Sequence, residues 1–473
     1  MRGSIQARSL SVLLACAMAT SGCSMFGPSA PPAGQVGHIS GFLGAVAADE
    51  PQAALVARGV LSAGGNAADA AVALGFALAV TLPSRAGLGG GGACLSWRAG
   101  AAGKDGPVAV LFTPRAPAST AGSSRPAAVP MLARGLYALH ARDGSQPFET
   151  LVSPAERLAR FGVPASRALV SDLAVVAGPL AADPEADRIF FRAGRPLADG
   201  APLAQPELGA TLAQIRVAGV GDLYQGVLGR RVADAARQAG GSFTIADLRA
   251  ALPQVTAPLT VPAPGHDLVA FLPPPADGGL AAAAAFQALR ANPADDAAAT
   301  ARALAAAARW RQGGITPQAI LAGNVAAAGL PALPASTSFA VLDRNGNAVA
   351  CALTMDNLFG TGRIAPSTGM VLAASPSAFP PPLLSAAIAY NPNVHAFRAA
   401  VASSGQEGAP LATAAGMMQA LAGGAGRSQP APGAVPGPGR ANIIACSQYR
   451  PGENGSCGWA TDPRGAGLAA GSN

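Results

Sequence analysis

The clearest pattern of apolar and polar positions in this chain begins at residue 336. Residues 336–343 alternate between two faces, with Phe339 and Val341 on one of them, and a period of two predicts a β-strand. Asn345-Gly346 follows, and this pair favours the positive φ values of a tight primed turn. Residues 347–353 are small and apolar, which suits a returning strand in a buried sheet. The stretch therefore predicts a β-hairpin in the core.

A second patterned region lies nearer the N-terminus. Residues 51–63 predict a helix that ends at Gly64-Gly65, a typical C-terminal cap. Residues 66–81 predict another helix, apolar on nearly every side and therefore buried. The glycine-rich run 87–92 then allows close backbone approach before a strand at 93–97. Because this run precedes a strand and lacks the Lys-Ser/Thr of a phosphate-binding loop, we do not expect a nucleotide site.

Residues 1–23 have the features of a bacterial export signal. Basic residues precede an apolar run at 10–18 that is too short to span a bilayer. The tetrapeptide ending at Cys23 resembles a lipobox, with Thr where Leu is usual, and Cys16 is a rival position. We expect lipidation at Cys23, with ordinary signal-peptidase cleavage as the alternative. Residues 24–40 would then form a tether, and the protein would be a membrane-anchored lipoprotein in the periplasm of a Gram-negative bacterium.

Composition and charge exclude some classes of function. Hydrophobic residues make up 50% of the 473, charged residues only 12%, and the formal net charge is +7. A chain of this length can bury a large core. The basic residues are scattered rather than clustered, so we expect no nucleic-acid partner.

Cysteines and histidines give no sign of a metal centre. No metal-ligand spacing occurs among the six cysteines, and the four histidines are far apart, so we expect no metal and no cofactor. Cys446 and Cys457 flank a short loop containing Pro, Gly and Asn. In an oxidising compartment this pair could form a disulfide across a hairpin.

Five motifs together resemble the γ-glutamyltranspeptidase family. In the second half of the chain they are D-x-x-G-N-A-V at 343–349, Thr354, and F-G-T-G at 359–362. In the first half they are G-G-N-A-x-D-A-A-V-A at 64–73 and P-S-x-x-G-L-G-G-G-G at 83–92. The resemblance covers almost the whole chain after the export signal. It implies an α/β (α+β) protein with the four-layer αββα sandwich of N-terminal-nucleophile hydrolases.

The resemblance also implies self-processing into two chains that form one unit. The cut would fall between Ala335 and Ser336, separating a large region, 41–335, from a small region, 336–473. The family's nucleophile is a threonine, and Ser336 occupies its place, while the adjacent Thr337 is the alternative. Once freed, the α-amine of the new N-terminus would act as the base for its own hydroxyl.

Three further positions carry catalytic roles by the same resemblance. Thr354 corresponds to the threonine that hydrogen-bonds the nucleophile. Gly405 and Gln406 align with two glycines whose backbone N–H groups stabilise the oxyanion, and the Gln406 N–H is still able to donate. We therefore expect these residues to surround Ser336.

The donor-binding residues depart most from the family pattern. Thr113 stands where the family has the arginine that binds the donor carboxylate, with Arg115 two residues further on as a candidate replacement. Ser385 is what remains of a serine pair, Ala378 replaces an aspartate, and Asp356 replaces an asparagine. Each lost charge-assisted hydrogen bond weakens donor binding by about 1.5–3 kcal/mol. The sequence thus predicts an enzyme acting on a small amide or peptide, glutathione-like or altered, or else a pseudoenzyme that serves as an envelope binding or scaffold protein.

Overall fold

The computed structural model describes residues 42–100, 106–323, 325–326, 329–422, 433–452 and 456–472. The predicted export signal, with Cys16 and Cys23, and the tether lie outside these residues. Residues 41–473 form one compact unit. Within the described ranges, no helix is long and apolar enough to cross a membrane.

Two antiparallel sheets dominate the structure. The seven-stranded sheet has the strand order β19-β1-β11-β12-β2-β3-β8, and the six-stranded sheet has the order β18-β17-β16-β15-β10-β9. The strands of the first are β1 (Gly44–Ala48), β2 (Gly91–Trp97), β3 (Val108–Phe112), β8 (Gln254–Thr256), β11 (Ser336–Asp343), β12 (Ala348–Thr354) and β19 (Leu468–Ser472). Those of the second are β9 (Leu259–Pro262), β10 (Leu268–Phe271), β15 (Ser385–Asn391), β16 (Ala396–Ser404), β17 (Arg440–Arg450) and β18 (Cys457–Thr461). Two-residue strands form three small two-stranded sheets, β4-β7, β5-β6 and β13-β14. These strands are β4 (Val163–Pro164), β5 (Phe191–Arg192), β6 (Arg195–Pro196), β7 (Pro202–Leu203), β13 (Ile364–Ala365) and β14 (Met370–Val371).

Helices cover the outer face of each sheet. The helices are α1 (Pro51–Ser62), α2 (Ala67–Thr81), α3 (Leu132–Asp143), α4 (Phe148–Phe161), α5 (Arg167–Ala181), α6 (Pro184–Phe190), α7 (Pro206–Ala218), α8 (Val220–Gln225), α9 (Val227–Gln238), α10 (Ile245–Ala250), α11 (Gly278–Ala291), α12 (Asp296–Arg311), α13 (Pro317–Ala322) and α14 (Ala409–Ala422). One core packs the first ten helices on the seven-stranded sheet, and a second packs α11, α12 and α14 on the six-stranded sheet. A third core lies between the sheets, so the molecule has the four layers αββα.

The predicted hairpin lies at the centre of the seven-stranded sheet, but its turn differs from the expectation. The Gly346 N–H donates to the Asp343 carbonyl at 3.1 Å, and of the two turn residues only Gly346 has a positive φ, 85°. This is a type I turn followed by a glycine bulge, not a primed turn. The Asp343 carboxylate selects it by accepting the N–H groups of Asn345 at 2.8 Å and Asn347 at 3.0 Å.

The buried helix α2 is tied to the same aspartate. Its N-terminus carries a capping box, in which Asn66 and Asp69 each accept the other's backbone N–H. The next N–H, that of Ala67, donates to the second oxygen of Asp343 at 3.0 Å. One carboxylate therefore joins the hairpin of the small region to a helix of the large region.

Two disulfides bridge neighbouring strands within the described residues. Cys446 and Cys457, the pair that the sequence favours, are joined across β17 and β18. Cys94 and Cys351 are also joined, across β2 and β12, although 257 residues separate them. Sequence reasoning missed this second bridge because only the strand register places the two cysteines opposite each other.

Candidate active site

The bond between Ala335 and Ser336 lies at one end of the seven-stranded sheet, where β11 begins. Ser336 pairs with Thr354, the last residue of β12. Alternate residues of β11 face the core between the sheets, and Ser336 shares that face with Ser338. The hydroxyl of Ser338 accepts from Asn442 of the other sheet at 2.9 Å, and Ser336 itself is 2% exposed. The candidate nucleophile is therefore buried between the two sheets.

Thr354 contacts the carbonyl of the bond that would be cut. Its hydroxyl donates to the Ala335 oxygen at 3.0 Å and accepts the Asp356 backbone N–H at 2.9 Å. Because the Asp356 N–H occupies a lone pair of the hydroxyl, the single Thr354 proton is directed to the Ala335 carbonyl. The resemblance implied a hydrogen bond to the nucleophile, whereas in this structure Thr354 polarises the bond that the nucleophile attacks.

Thr337 faces away from this carbonyl. By the alternation of β11 its side chain lies on the face opposite to that of Ser336, and its hydroxyl donates to Asp49 at 3.2 Å. The same Asp49 oxygen accepts the Ser338 N–H at 2.9 Å, and the other accepts from Asn442 at 2.8 Å. Asp49 thus fixes the first residues of β11. Because the Thr337 hydroxyl binds Asp49 on the opposite face, the geometry favours Ser336 over Thr337 as the nucleophile.

An ion pair between a partly buried arginine and a buried aspartate contacts Ser336 from the helical side. Arg85 donates to both carboxylate oxygens of Asp172, at 2.7 and 2.8 Å, and also contacts the Ser336 carbonyl at 3.4 Å. Ser84 donates to the same carboxylate at 2.6 Å. Sequence analysis did not identify Arg85, Asp172 or Asp49, although Ser84 and Arg85 lie inside the P-S-x-x-G motif, which was the available signal.

The turn at Gly405-Gln406 follows β16 and adopts left-handed backbone angles, with φ of 113° and 55°. The Gln406 side chain donates to the Leu333 carbonyl at 2.8 Å. Leu333 lies two residues before Ala335, so the side chain that replaces the family glycine holds the segment leading to the bond. The structure brings this turn to the same place as Ser336 and Thr354.

The glycine-rich run forms the other wall of the site. Gly91 pairs with Thr354, and a Cβ on Gly90 would lie 2.3 Å from the Thr354 carbonyl oxygen. Any side chain at Gly90 would therefore displace the strand end that carries the Thr354 hydroxyl. Close packing of the sheet, rather than nucleotide binding, explains this run.

A small pocket of about 180 Å³ adjoins Asp356. Its other lining residues are Thr113, Leu384 and the prolines Pro114, Pro275, Pro376, Pro381 and Pro382. Both carboxyl oxygens of Asp356 are buried without a hydrogen-bond partner in the described part of the chain, and burial raises the pKa of this group well above its usual range. Apart from Thr113 and the unpartnered acid Asp356, the side chains that line the pocket are apolar.

Two residues expected to bind the donor lie elsewhere. The Arg115 guanidinium donates to the Leu252 carbonyl at 2.7 Å. Strand β3 ends at Phe112, and the backbone of Arg115 forms an isolated antiparallel β-bridge with Val129. Ser385 faces the helical layer, where its hydroxyl donates to Thr413 of α14 at 2.8 Å. Its neighbour Leu384 takes the pocket position, since successive residues of a strand point to opposite faces.

The unpartnered acid makes the stability of the protein depend on pH. In the folded state Asp356 keeps its proton at pH values where the unfolded chain, with a pKa of about 3.9, has lost it. Stability is therefore lost as pH rises from about 4 through the raised pKa of the folded state. We expect Asp356→Asn to become more stable than the parent protein over that range, by more than the ~0.5 kcal/mol of typical surface substitutions. Urea denaturation at pH 4 and pH 7 measures this gain, and an equal difference at both values would contradict it.

In the described ranges, no group of three or more His, Cys, Asp or Glu side chains has the arrangement of a metal site. The groups beside the Ala335–Ser336 bond that can take part in chemistry are the hydroxyls of Ser336 and Thr354 and the backbone amide groups. Two sandwiched sheets with a hydroxyl residue at the first position of a central strand are the architecture of the N-terminal-nucleophile hydrolase fold.

Comparison with known proteins identifies the family. The family model for gamma-glutamyltranspeptidase matches residues 53–308, which is more than half of the chain. The glutathione hydrolase proenzyme of Escherichia coli (strain K12) is 31% identical over 295 residues, covering 56% of this chain and 50% of the relative. The acylase ACY 1 proenzyme of Pseudomonas sp. (strain SE83) is 31% identical over 260 residues, covering 50% of this chain and 46% of the acylase. The chain belongs to the gamma-glutamyltranspeptidase family, as a divergent member, and it spans about half the length of these curated relatives.

A solved structure extends the likeness of fold to nearly the whole chain. The cephalosporin acylase from Bacillus halodurans superposes with a TM-score of 0.71 at 20% identity, covering 94% of this chain and 99% of the acylase. The αββα fold expected from the sequence is therefore confirmed.

Proposed function

We propose that this protein is a self-cleaving amide hydrolase or acyltransferase with Ser336 as its nucleophile. The observation that carries the proposal is the Thr354 hydroxyl, which donates to the Ala335 carbonyl at 3.0 Å directly beside Ser336. A hydrogen bond to that oxygen stabilises the negative charge that develops there when the carbonyl carbon is attacked.

The cleavage needs only the groups of the chain itself and one water molecule. The Ser336 oxygen attacks the Ala335 carbonyl carbon, the hydroxyl proton passes to the Ser336 nitrogen, and the C–N bond breaks to leave an ester. Water then opens the ester, which gives the Ala335 carboxylate, the Ser336 hydroxyl and a free α-amine. In the mature protein this amine acts as the base when the hydroxyl attacks an amide donor, and water or an amine accepts the acyl group.

The names of the relatives limit the class of substrate to be considered. They are glutathione hydrolases and acylases, so a small amide or peptide donor, γ-glutamyl-like or with another acyl group, is the proposed substrate. Residues 1–23 favour export and a lipid anchor at Cys23, which would place the protein at a membrane in the periplasm. Loss of the family's donor-binding side chains at Thr113 and Ala378 favours a second candidate, an uncut envelope binding protein.

Intact mass and N-terminal sequencing of the purified, reduced protein test the proposal. We expect two chains, the smaller of which begins at Ser336. A cut before Thr337 would move the nucleophile by one residue. A single uncut chain with no amidase activity would favour the binding protein.

Removing the Thr354 hydroxyl should slow the cut. Thr354→Val keeps the shape of the side chain but leaves the Ala335 carbonyl without its donor. Loss of one such donor reduces rates by about 10²–10³-fold. The rate of appearance of the small chain, followed by mass spectrometry after synthesis, measures the effect. Thr354→Ser keeps the donor and is the matched control, and equal processing of the valine variant would exclude this role.

The disulfide between Cys94 and Cys351 would hold the two chains together after the cut. Cys94 lies in the large region and Cys351 in the small region, whereas Cys446 and Cys457 both lie in the small region. We expect one band of precursor size in a denaturing gel without reductant and two bands with it. Cys351→Ser should give two bands in both gels, while Cys446→Ser should not. Two bands from the parent protein without reductant would contradict a covalent link.

A further inference from the structure

A cleft of about 400 Å³ lies at the end of the seven-stranded sheet where β11 begins. One wall comes from α5, and the opposite wall comes from the end of β16 at Ser404 and the start of β17 at Arg440. Arg85, which contacts the Ser336 carbonyl at 3.4 Å, lines the cleft, and so does Asp49, which fixes the first residues of β11. The cleft therefore shares a wall with the candidate active site.

Arginines dominate the charged part of this lining. Arg85 is neutralised by Asp172, which it contacts through both oxygens at 2.7 and 2.8 Å. Arg464 is neutralised by Asp462, at 2.6 and 2.9 Å. The remaining acid, Asp49, directs its two oxygens to hydrogen bonds with one strand of each sheet. Among the described residues, the charged side chains that line the cleft are those of Arg85, Arg167, Arg440, Arg464, Asp49 and Asp172.

Two of these arginines, Arg167 and Arg440, have no acid partner. Within the described ranges neither guanidinium forms a hydrogen bond or an ion pair. Arg167 is also the first residue of α5, and the first turn of that helix carries no acid. Its charge is thus added to the positive end of a helix dipole, which is unfavourable unless an anion lies nearby. Both arginines are therefore available to a ligand of negative charge.

We propose that this cleft binds a small ligand through its carboxylate, and that Arg167 and Arg440 are the residues that bind it. The planar fork of a guanidinium matches a carboxylate with two parallel hydrogen bonds. Pockets for drug-sized ligands measure roughly 300–1,000 Å³, so about 400 Å³ suits a molecule the size of an amino acid or a short peptide. Because Arg167 belongs to the large region and Arg440 to the small region, the ligand would contact both chains after a cut.

The position of the cleft gives the ligand a role in the proposed reaction. Its carboxylate belongs either to the acyl donor or to the amine that accepts the acyl group, since both have to approach Ser336. This role rests on the proposed function, whereas binding itself requires no cut.

Calorimetric titration of the full-length Ser336→Ala protein measures binding without turnover. The probes are glutarate, the neutral diamide glutaramide of the same length, and inorganic phosphate. We expect glutarate to bind at least about tenfold more tightly than glutaramide, the effect of one charge-assisted hydrogen bond, and the difference to shrink as the salt concentration rises. Equal affinity for the two, or tighter binding of phosphate, would overturn the carboxylate assignment.

Single variants test the two arginines. Arg167→Gln and Arg440→Gln should each lower the affinity for glutarate by at least about tenfold and leave that for glutaramide unchanged. Arg440→Lys keeps the charge without the fork and should fall between Arg440→Gln and the parent. Arg58→Gln removes the same charge from an exposed residue outside the cleft and is the matched control. An equal loss in Arg58→Gln, or an equal loss for glutaramide, would exclude these arginines as the binding residues.

Kinetics of the cut protein separate the two sources of the carboxylate. If the donor carries it, Arg440→Gln should lower kcat/KM for a glutaryl anilide by at least about tenfold relative to a butyryl anilide, which has no carboxylate. If the acceptor carries it, the same variant should lower acyl transfer to glycine relative to glycinamide. Both ratios unchanged from those of the parent would overturn a role for the cleft in binding substrate.

The two proposals fail in different ways. If the parent protein is uncut and inactive but binds glutarate through Arg167 and Arg440, the proposed function fails and the cleft assignment holds. If the protein is cut and active but binds glutarate and glutaramide equally well, the cleft assignment fails alone.

Discussion

Replacing Ser336 with alanine is expected to leave the protein as one uncut chain and to lower amide hydrolysis by at least about 10³-fold. The substitution removes the hydroxyl that attacks the Ala335 carbonyl, and without the cut the α-amine base never forms. Intact mass reports the cut, and turnover of an acyl anilide reports the chemistry. Both readouts should fail together because they depend on the same atom.

Two variants make this expectation specific. Thr337→Ala is the matched control, because its hydroxyl binds Asp49 on the opposite face of β11, and it should still be cut before Ser336. Ser336→Thr restores the residue type that the family uses and should also be cut. If Ser336→Ala is still cut, or if Thr337→Ala is the only variant that remains uncut, the nucleophile is Thr337.

The second large effect concerns stability. Arg85→Ala should lower the free energy of unfolding by about 3–5 kcal/mol, because it leaves the Asp172 carboxylate buried with only the Ser84 hydroxyl as a side-chain donor. Asp172 is 4% exposed and lies on α5, whereas Arg85 follows the end of α2, so the pair also joins α5 to the segment after α2. Urea denaturation measures the loss.

An exposed pair of the same chemistry is the control. Arg237 and Asp234 lie 3.0 Å apart with 66% and 62% of their side chains exposed, and Arg237→Ala should cost no more than about 1 kcal/mol. Arg85→Lys should fall between the two, because an ammonium cannot reproduce the two parallel bonds to Asp172. A loss below 1 kcal/mol for Arg85→Ala would show that the buried pair contributes little.

Thr113, at the position of the family's arginine, and Asp356, at the position of its asparagine, line one pocket. Beside the Ala335–Ser336 bond, both Ser336 and Thr354 carry a hydroxyl, and that of Thr354 contacts the Ala335 carbonyl. The departures from the family pattern at Thr113 and Asp356 therefore fall on one pocket, whereas the two hydroxyls beside the bond are present.

Local chemistry within a few residues was sufficient to predict much of this protein. The alternation from residue 336, the apolar run of α2 and the glycines before β2 each identified an element, and the motifs around Asp343 and Thr354 identified the family and fold. The turn type was predicted wrongly because it depends on the contacts of the Asp343 carboxylate. That carboxylate accepts hydrogen bonds both from the hairpin and from Ala67, which is distant in sequence. Even there, the sequence placed the turn at the right residues.

Strand register and burial decided the rest. Only the pairing of β2 with β12 brings Cys94 to Cys351, and only the pleat of β15 turns Ser385 toward α14 and Leu384 toward the pocket. Arg115 is close in sequence to the position expected for a donor ligand, yet the end of β3 at Phe112 directs it to Leu252. Residues distant in the chain become neighbours through the order of strands in two sheets, so the sequence determined which groups are available and the tertiary structure determined which of them meet.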